Sequence, residues 1–161
     1  MVAVSLKKDF FQAEDGILDY GDGLGIPAEP LFRSGRNAAW PEGLYSCLAG
    51  FVEPGESLEH AVVREIAEES GITVTQPRYR GSQPWPFPRS LMLGFTALAP
   101  AGVEPVPDGE EILSVRWFER EELARLAREG DVTLPGAVSI ARALIEDWYG
   151  GTLPDAQTLI T

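Results

Sequence analysis

Gly50-Phe51-Val52-Glu53-Pro54-Gly55-Glu56-Ser57-Leu58-Glu59-His60-Ala61-Val62-Val63-Arg64-Glu65-Ile66-Ala67-Glu68-Glu69-Ser70-Gly71-Ile72 is the stretch that decides the fold. Its middle reads as a helix over Ser57 to Ser70. Ser57 can cap the start, Glu59 suits the positive N-terminal end, and Gly71 stands where a left-handed residue closes a helix. With Leu58 at zero on a wheel of about 100° per residue, Glu65 falls near −20°, Glu69 near +20° and Val62 near +40°. Glu68 stands about 80° to one side. Two carboxylates therefore share a line with apolar Leu58 and Val62. Like charges at i, i+4 destabilise a helix by roughly 0.2–0.5 kcal/mol. One reading is a solvated acidic face partnered by Arg64. The other is a cradle for a hard divalent cation, which removes the repulsion and prefers oxygen ligands. His60, the only histidine, faces away from these glutamates and reads as a surface residue.

Outward from this helix, strands and helices alternate. Pro30–Arg33 reads as a short strand and Leu44–Val52 as a strand or extended segment. Ile72–Thr75 and Leu91–Leu98 read as strands. So does Ile112–Phe118, with Ile112, Ser114 and Arg116 alternating against Leu113, Val115 and Trp117. Arg120–Ala127 and Ser139–Trp148 read as helices. A helix among hairpin-like strands predicts an α/β or α+β fold, a mixed sheet between helices. Residues 7–28, with Gly16, Gly21, Gly23, Gly25 and Pro27, read as loop. Within them, Phe10-Phe11-Gln12-Ala13-Glu14-Asp15-Gly16-Ile17 resembles a peptide translated from sequencing-adapter read-through, and no function is placed there.

The 161 residues suit one domain with a single core. Thirteen basic against 25 acidic side chains give a formal charge of −12, which argues against a general nucleic-acid binder. It does not exclude an anionic small molecule, because a divalent cation reverses the local sign. No apolar run is long enough to span a membrane, and the start lacks the pattern of a signal peptide, so a cytoplasmic protein is expected. Cys47 is alone, which removes an internal disulfide and a thiolate zinc site; it reads as a buried core thiol.

A second unusual stretch is Gln83-Pro84-Trp85-Pro86-Phe87-Pro88-Arg89-Ser90. Its prolines fix backbone angles and remove donors. Trp85 and Phe87 are thereby held stiffly, either as platforms that stack on bases and nicotinamide rings or as a buried aromatic turn.

The spacing from Gly50 through Glu56 and Arg64-Glu65-Ile66 to Glu68-Glu69 and Gly71-Ile72 matches the signature of the Nudix hydrolase family at nine constrained positions. The run from Ser82 to Pro88 resembles the motif of the NADH pyrophosphatase (NAD-capped RNA hydrolase) subfamily. The resemblance covers residues 31–149 as a Nudix domain, with 1–30 as an irregular segment and 150–161 as a tail. It implies a loop–helix–loop that holds Mg²⁺ or Mn²⁺ against a diphosphate. It implies Glu65, Glu68, Glu69, the Ala49 carbonyl and Glu111 as metal ligands, with Glu110 one residue away as the alternative to Glu111. Glu69, with Glu68 assisting, would accept the proton of the attacking water. Gly50, Glu56, Arg64 and Gly71 would brace the box, Glu56 by pairing with Arg64, and Gly50 and Gly55 would allow tight loop geometry. Phe51 would stack on adenine. Gln83, Pro84, Trp85, Pro86, Phe87, Pro88, Arg89, Ser90 and Ala141 would touch substrate.

The implied substrate is an NAD(H)-type dinucleotide, split into nicotinamide mononucleotide and AMP, with NAD-capped RNA 5′ ends as a further partner. The alternatives are a broader Nudix hydrolase of ADP-ribose or dinucleoside polyphosphates, and a weakly active nucleotide-binding module. Neither the subfamily's N-terminal domain nor its four-cysteine zinc ribbon is recognisable in these residues. No zinc is expected in this chain, and dimerisation of the subfamily's kind is in question. The usual lead-in strand is not recognisable either, and Val2–Leu6 is the candidate substitute.

Overall fold

Helix α1 (Leu58–Ser70) forms where its punctuation places it. Ser57, in extended conformation, accepts a hydrogen bond from the His60 N–H, and Gly71 closes the helix in the left-handed region at φ 68°. The computed structural model of the chain describes residues 2–8, 32–37, 42–85, 89–110 and 112–154. The other elements are β1 (Val2–Lys8), β2 (Phe32–Asn37), β3 (Leu48–Gly50), β4 (Thr75–Trp85), β5 (Ser90–Ala99), β6 (Ile112–Phe118), α2 (Arg120–Glu129) and α3 (Ile140–Tyr149). The sheet runs β4-β5-β1-β2-β6, with β3 paired to β1. It is mixed: β1 lies parallel to β5 and antiparallel to β2 and β3. The expected α+β fold is thus observed. Among the described residues, no helix is long and apolar enough to cross a membrane.

The two faces of the sheet carry separate apolar clusters, and β5 shows the division through its period-2 alternation. Leu93, Phe95, Ala97 and Ala99 pack with Ala61, Val62 and Ile66 of α1. Met92 turns to the other cluster with Leu144, Ile145 and Trp148 of α3 and Leu123 and Leu126 of α2. Gly94 lies directly under Ile140 and Leu144 of α3. In and just before β3 the same rule sends Leu48 to the α1 side and Cys47 and Ala49 to the α3 side.

Three expectations change. Ile72–Thr75 is not a strand. Ile72 and Val74 are buried anchors, pairing starts at Thr75, and the register then shifts before Arg78, where Gln76 takes a positive φ of 50°. The stretch from Gln83 to Trp85, read as a proline-stiffened segment outside the strands, is the end of β4, in register with β5. Pro77 and Pro84 fit there because β4 is an edge strand, where a missing N–H leaves a ladder bond unmade only on the open side. Lys7 and Lys8, read as the beginning of a loop, finish β1. The substitute strand sought at Val2–Leu6 therefore exists and sits in the middle of the sheet. The rest of the predicted loop, with Phe10–Ile17, lies outside the described residues.

The start of the predicted tail is packed. Leu153 is buried in the α3 cluster, its N–H donates to Glu146, and its carbonyl accepts from the buried Arg142 guanidinium.

Candidate active site

The loop before α1 is fastened by one guanidinium. Arg64 donates from Nε and Nη2 to the Glu56 carboxylate at 3.2 and 2.7 Å, and from Nη2 to the Phe51 carbonyl at 2.9 Å. Glu56 also accepts the Glu53 N–H at 2.7 Å. Gly55 turns the loop at φ 91°, a left-handed geometry that costs glycine nothing. The Arg64 bonds, then the Glu53 amide, hold the Glu56 carboxyl well below its ordinary 4.5, at about 2. A group depressed in the folded state stabilises it above its unfolded value and loses that contribution as pH falls through the folded value. The brace should therefore persist from neutral pH down through the ordinary carboxylate range and fail near pH 2. Carboxyl carbon NMR across an acid titration checks this. A Glu56 midpoint near 4.5 would mean that the pair does not hold in solution.

Helix α1 delivers its three carboxylates to different environments. Glu69 is 5% exposed, the Glu65 side chain 15% and the Glu68 side chain 60%. This follows the wheel, with Glu65 and Glu69 on the inward line and Glu68 to the side. Gly50 has a reason other than loop flexibility: a Cβ there would fall inside the Glu65 carboxyl group. Position 50 is thus a seat for a carboxylate head against the end of β3. Arg64 Nη1 bridges Glu65 and Glu68 at 3.1 and 3.0 Å. Among the described residues, no three His, Cys, Asp or Glu side chains converge as they would around a metal. The donor set nonetheless suits a hard cation, being carboxylate oxygens on one helix against a glycine-lined strand end.

On the α3 side, a cleft of about 250 Å³ is lined by Ser46, Gln83, Trp85, Ser90, Met92, Pro135, Ser139, Ile140 and Ala141. The pleat explains which motif residues reach it. Gln83 pairs with Met92 and Trp85 with Ser90, and these alternate positions face α3. Pro84, paired with Leu91, points to the opposite face, and Arg89 sits in the turn. Neither lines the cleft. Ala141 does line it, though its carbonyl accepts the Cys47 thiol at 3.7 Å. Burial pushes the Cys47 thiol up to about 12, which makes it a neutral donor and no nucleophile. Ser46, Met92, Pro135, Ser139 and Ile140 were missed by sequence reasoning. The alternation of β5 could have signalled Met92; the others depend on tertiary packing.

Phe51 is 63% exposed beside the box loop. His60 is a surface residue within 3.5 Å of Glu56. Asp108 accepts from the Glu110 and Ile112 N–H groups, both at 2.9 Å, and so shapes the turn into β6. Glu110 is exposed on that turn. Glu111, Pro86, Phe87 and Pro88 lie outside the described residues.

The model of the NUDIX domain matches residues 31–135. The NAD-capped RNA hydrolase NudC of Mycobacterium bovis (strain BCG / Pasteur 1173P2) is 52% identical over 121 residues, covering 70% of this chain and 39% of that protein. The NAD-capped RNA hydrolase of Schizosaccharomyces pombe is 48% identical over 126 residues, covering 71% of this chain and 34% of that protein. The chain thus spans less than two fifths of the length of these relatives. Among solved structures, the NUDIX domain of Shewanella oneidensis NrtR complexed with ADP ribose superposes with a TM-score of 0.56. It covers 77% of this chain and 74% of that one at 18% identity, a likeness of fold alone. With the box intact, its helix capped as the spacing requires and the family model spanning most of the chain, this protein belongs to the NUDIX domain family.

Proposed function

We propose that the chain is a divalent-cation-dependent hydrolase that cleaves the diphosphate of NADH or NAD into nicotinamide mononucleotide and AMP. The observation that carries this reading is a ring-sized cleft on the α3 side, linked to the carboxylate helix by one extended segment. Ser46 lines the cleft, and four residues further along the same segment Gly50 meets Glu65. At about 3.3 Å per extended residue, this is a span of roughly 13 Å, the scale of a dinucleotide rather than a mononucleotide. The cleft is smaller than the ~300–1,000 Å³ of ordinary ligand pockets, so it suits one half of such a molecule. Trp85 and Met92 offer it apolar contact, and exposed Phe51 would stack on the adenine.

Glu65, Glu69 and the Ala49 carbonyl would hold Mg²⁺ or Mn²⁺, with Glu68 and Glu111 completing the set. The cation supplies charge neutralisation of the diphosphate oxygens and a more acidic water. The chain's own part is orientation and proton transfer. Glu69, held on a capped helix and shielded from bulk water, is the carboxylate assigned to accept the proton of the attacking water. Arg64, pinned by Glu56 and Phe51, keeps the loop in place while that happens. The catalytic unit takes in residues 31–149 with β1 added. The names of the relatives extend the substrate class to NAD-capped RNA 5′ ends, and the cytoplasm is the compartment we assign.

Incubating the purified protein with NADH, NAD and ADP-ribose, with Mg²⁺ or Mn²⁺, and identifying products by mass tests the proposal. Equal AMP and reduced nicotinamide mononucleotide from NADH is the expected result. Faster turnover of ADP-ribose than of NADH overturns it.

A further inference from the structure

The amide of Gln83 is engaged in a way that the motif alone does not reveal. Nε2 donates to the Val138 carbonyl at 2.7 Å, and Oε1 accepts the Ile140 N–H at 2.8 Å. The two partners fix which way the amide points, since one needs a donor and the other an acceptor. Ile140 is the first residue of α3, and its N–H is one of the donors that a helix start leaves without an intrahelical acceptor. Ser139 caps another, the Arg142 N–H, at 3.1 Å. The first turn of α3 is therefore held from two sides, by its own cap and by a side chain reaching across from β4. Val138 itself is almost fully exposed, so its own side chain adds little packing to this corner.

That corner forms one wall of the cleft. Ser139, Ile140 and Ala141 stand on it, and Trp85, Ser90 and Met92 of the β4–β5 hairpin form the facing wall. We infer that Gln83 is a positioning residue: it spans from hairpin to helix and sets the separation of the two walls, instead of serving the ligand directly. This deepens the proposed activity and rests on it for the identity of what enters the cleft. A dinucleotide whose nicotinamide fills the space depends on that separation. ADP-ribose, which lacks the ring, depends on it less.

Two readouts test the inference. Amide hydrogen exchange over residues 136–142 of the free protein reports on the strut without any substrate. In Gln83→Leu the Ile140 N–H loses its acceptor, and its exchange should rise about tenfold or more. Gln83→Glu keeps an acceptor facing a helix N-terminus, so protection of Ile140 should return although the bond to Val138 is lost. Steady-state kinetics supply the second readout. In Gln83→Leu the kcat/KM for NADH should fall about tenfold further than that for ADP-ribose, mostly through KM, and Gln83→Glu should recover part of that difference. Unchanged exchange at Ile140 in Gln83→Leu overturns the strut. Faster exchange with equal losses on the two substrates overturns its role in the cleft and leaves only a structural bond. If the unaltered protein hydrolyses neither NADH nor NAD, the proposed function fails, while the exchange result still decides the strut.

Discussion

Glu69→Gln should lower kcat for NADH by about 10³-fold or more, a loss of ~4 kcal/mol in transition-state stabilisation. Glutamine keeps the shape and most of the hydrogen-bonding capacity of the side chain and removes only the charge. Glu69 sits on the inward line of α1 and is nearly fully buried, among the apolar side chains that seat the helix on the sheet. A carboxylate in such a place costs desolvation energy that a helix of purely structural purpose avoids by placing an apolar residue there. On the proposed function, the charge is what the position contributes. Glu68 is exposed and salt-bridged to Arg64, so Glu68→Gln should cost less. The comparison is made at saturating Mg²⁺ or Mn²⁺, with thermal melting as the check on folding. A Glu69→Gln protein that melts normally and turns over NADH at a near-normal rate would remove Glu69 from the reaction.

The second large effect is expected at the opposite end of the argument, in a strand that carries none of the motifs. Deleting Val2–Lys8 should abolish cooperative unfolding, a loss on the order of the ~5 kcal/mol or more that keeps a domain folded. β1 is paired with β5 from Val2↔Leu93 to Lys8↔Ala99, with β2 at Leu6 and Lys7, and with β3 at Val2, Ala3 and Val4. Among the described residues, no other ladder joins β4–β5 to β2–β6, and β3 has no other strand partner. Removing β1 leaves two separate ribbons and sets free the Ala49–Gly50 backbone against which Glu65 is seated. Val4→Pro is the milder form of the same experiment. It removes one N–H from the interior of the sheet and should destabilise by ~3 kcal/mol. A truncated protein with a sharp melt at the unaltered temperature would show that the ladder through β1 is dispensable.

These two predictions mark what the sequence could and could not disclose. The helix was legible because its signals are local: Ser57, Gly71 and the wheel positions of Val62, Glu65 and Glu69 lie within a few turns of one another. The Glu56–Arg64 brace was implied by the resemblance to the Nudix family. The role of β1 was only guessed at, because it depends on pairing between residues 91 apart, as in Val2↔Leu93, which no local pattern encodes. The cleft was half legible. Trp85 and Ser90 belong to a motif, whereas Pro135 and Ser139 reach the cleft only through the packing of α3 on β5. The use of the Gln83 amide was hidden for the same reason, since both of its partners lie more than fifty residues away. Gly50 was expected to be needed for its backbone freedom and proved to be needed for its missing Cβ.

The division of the β4–β5 hairpin between two faces bears on how this region tolerates change. Gln83, Trp85, Ser90 and Met92 look towards α3, and Pro84 and Leu91 look away. Saturation mutagenesis across the hairpin should therefore give a sawtooth of fitness, intolerant and permissive positions alternating along each strand. Inserting or deleting one residue ahead of Gln83 would be far more damaging than most substitutions. It would exchange the inner and outer sets wholesale, turning Pro84 towards the helix and the tryptophan to solvent.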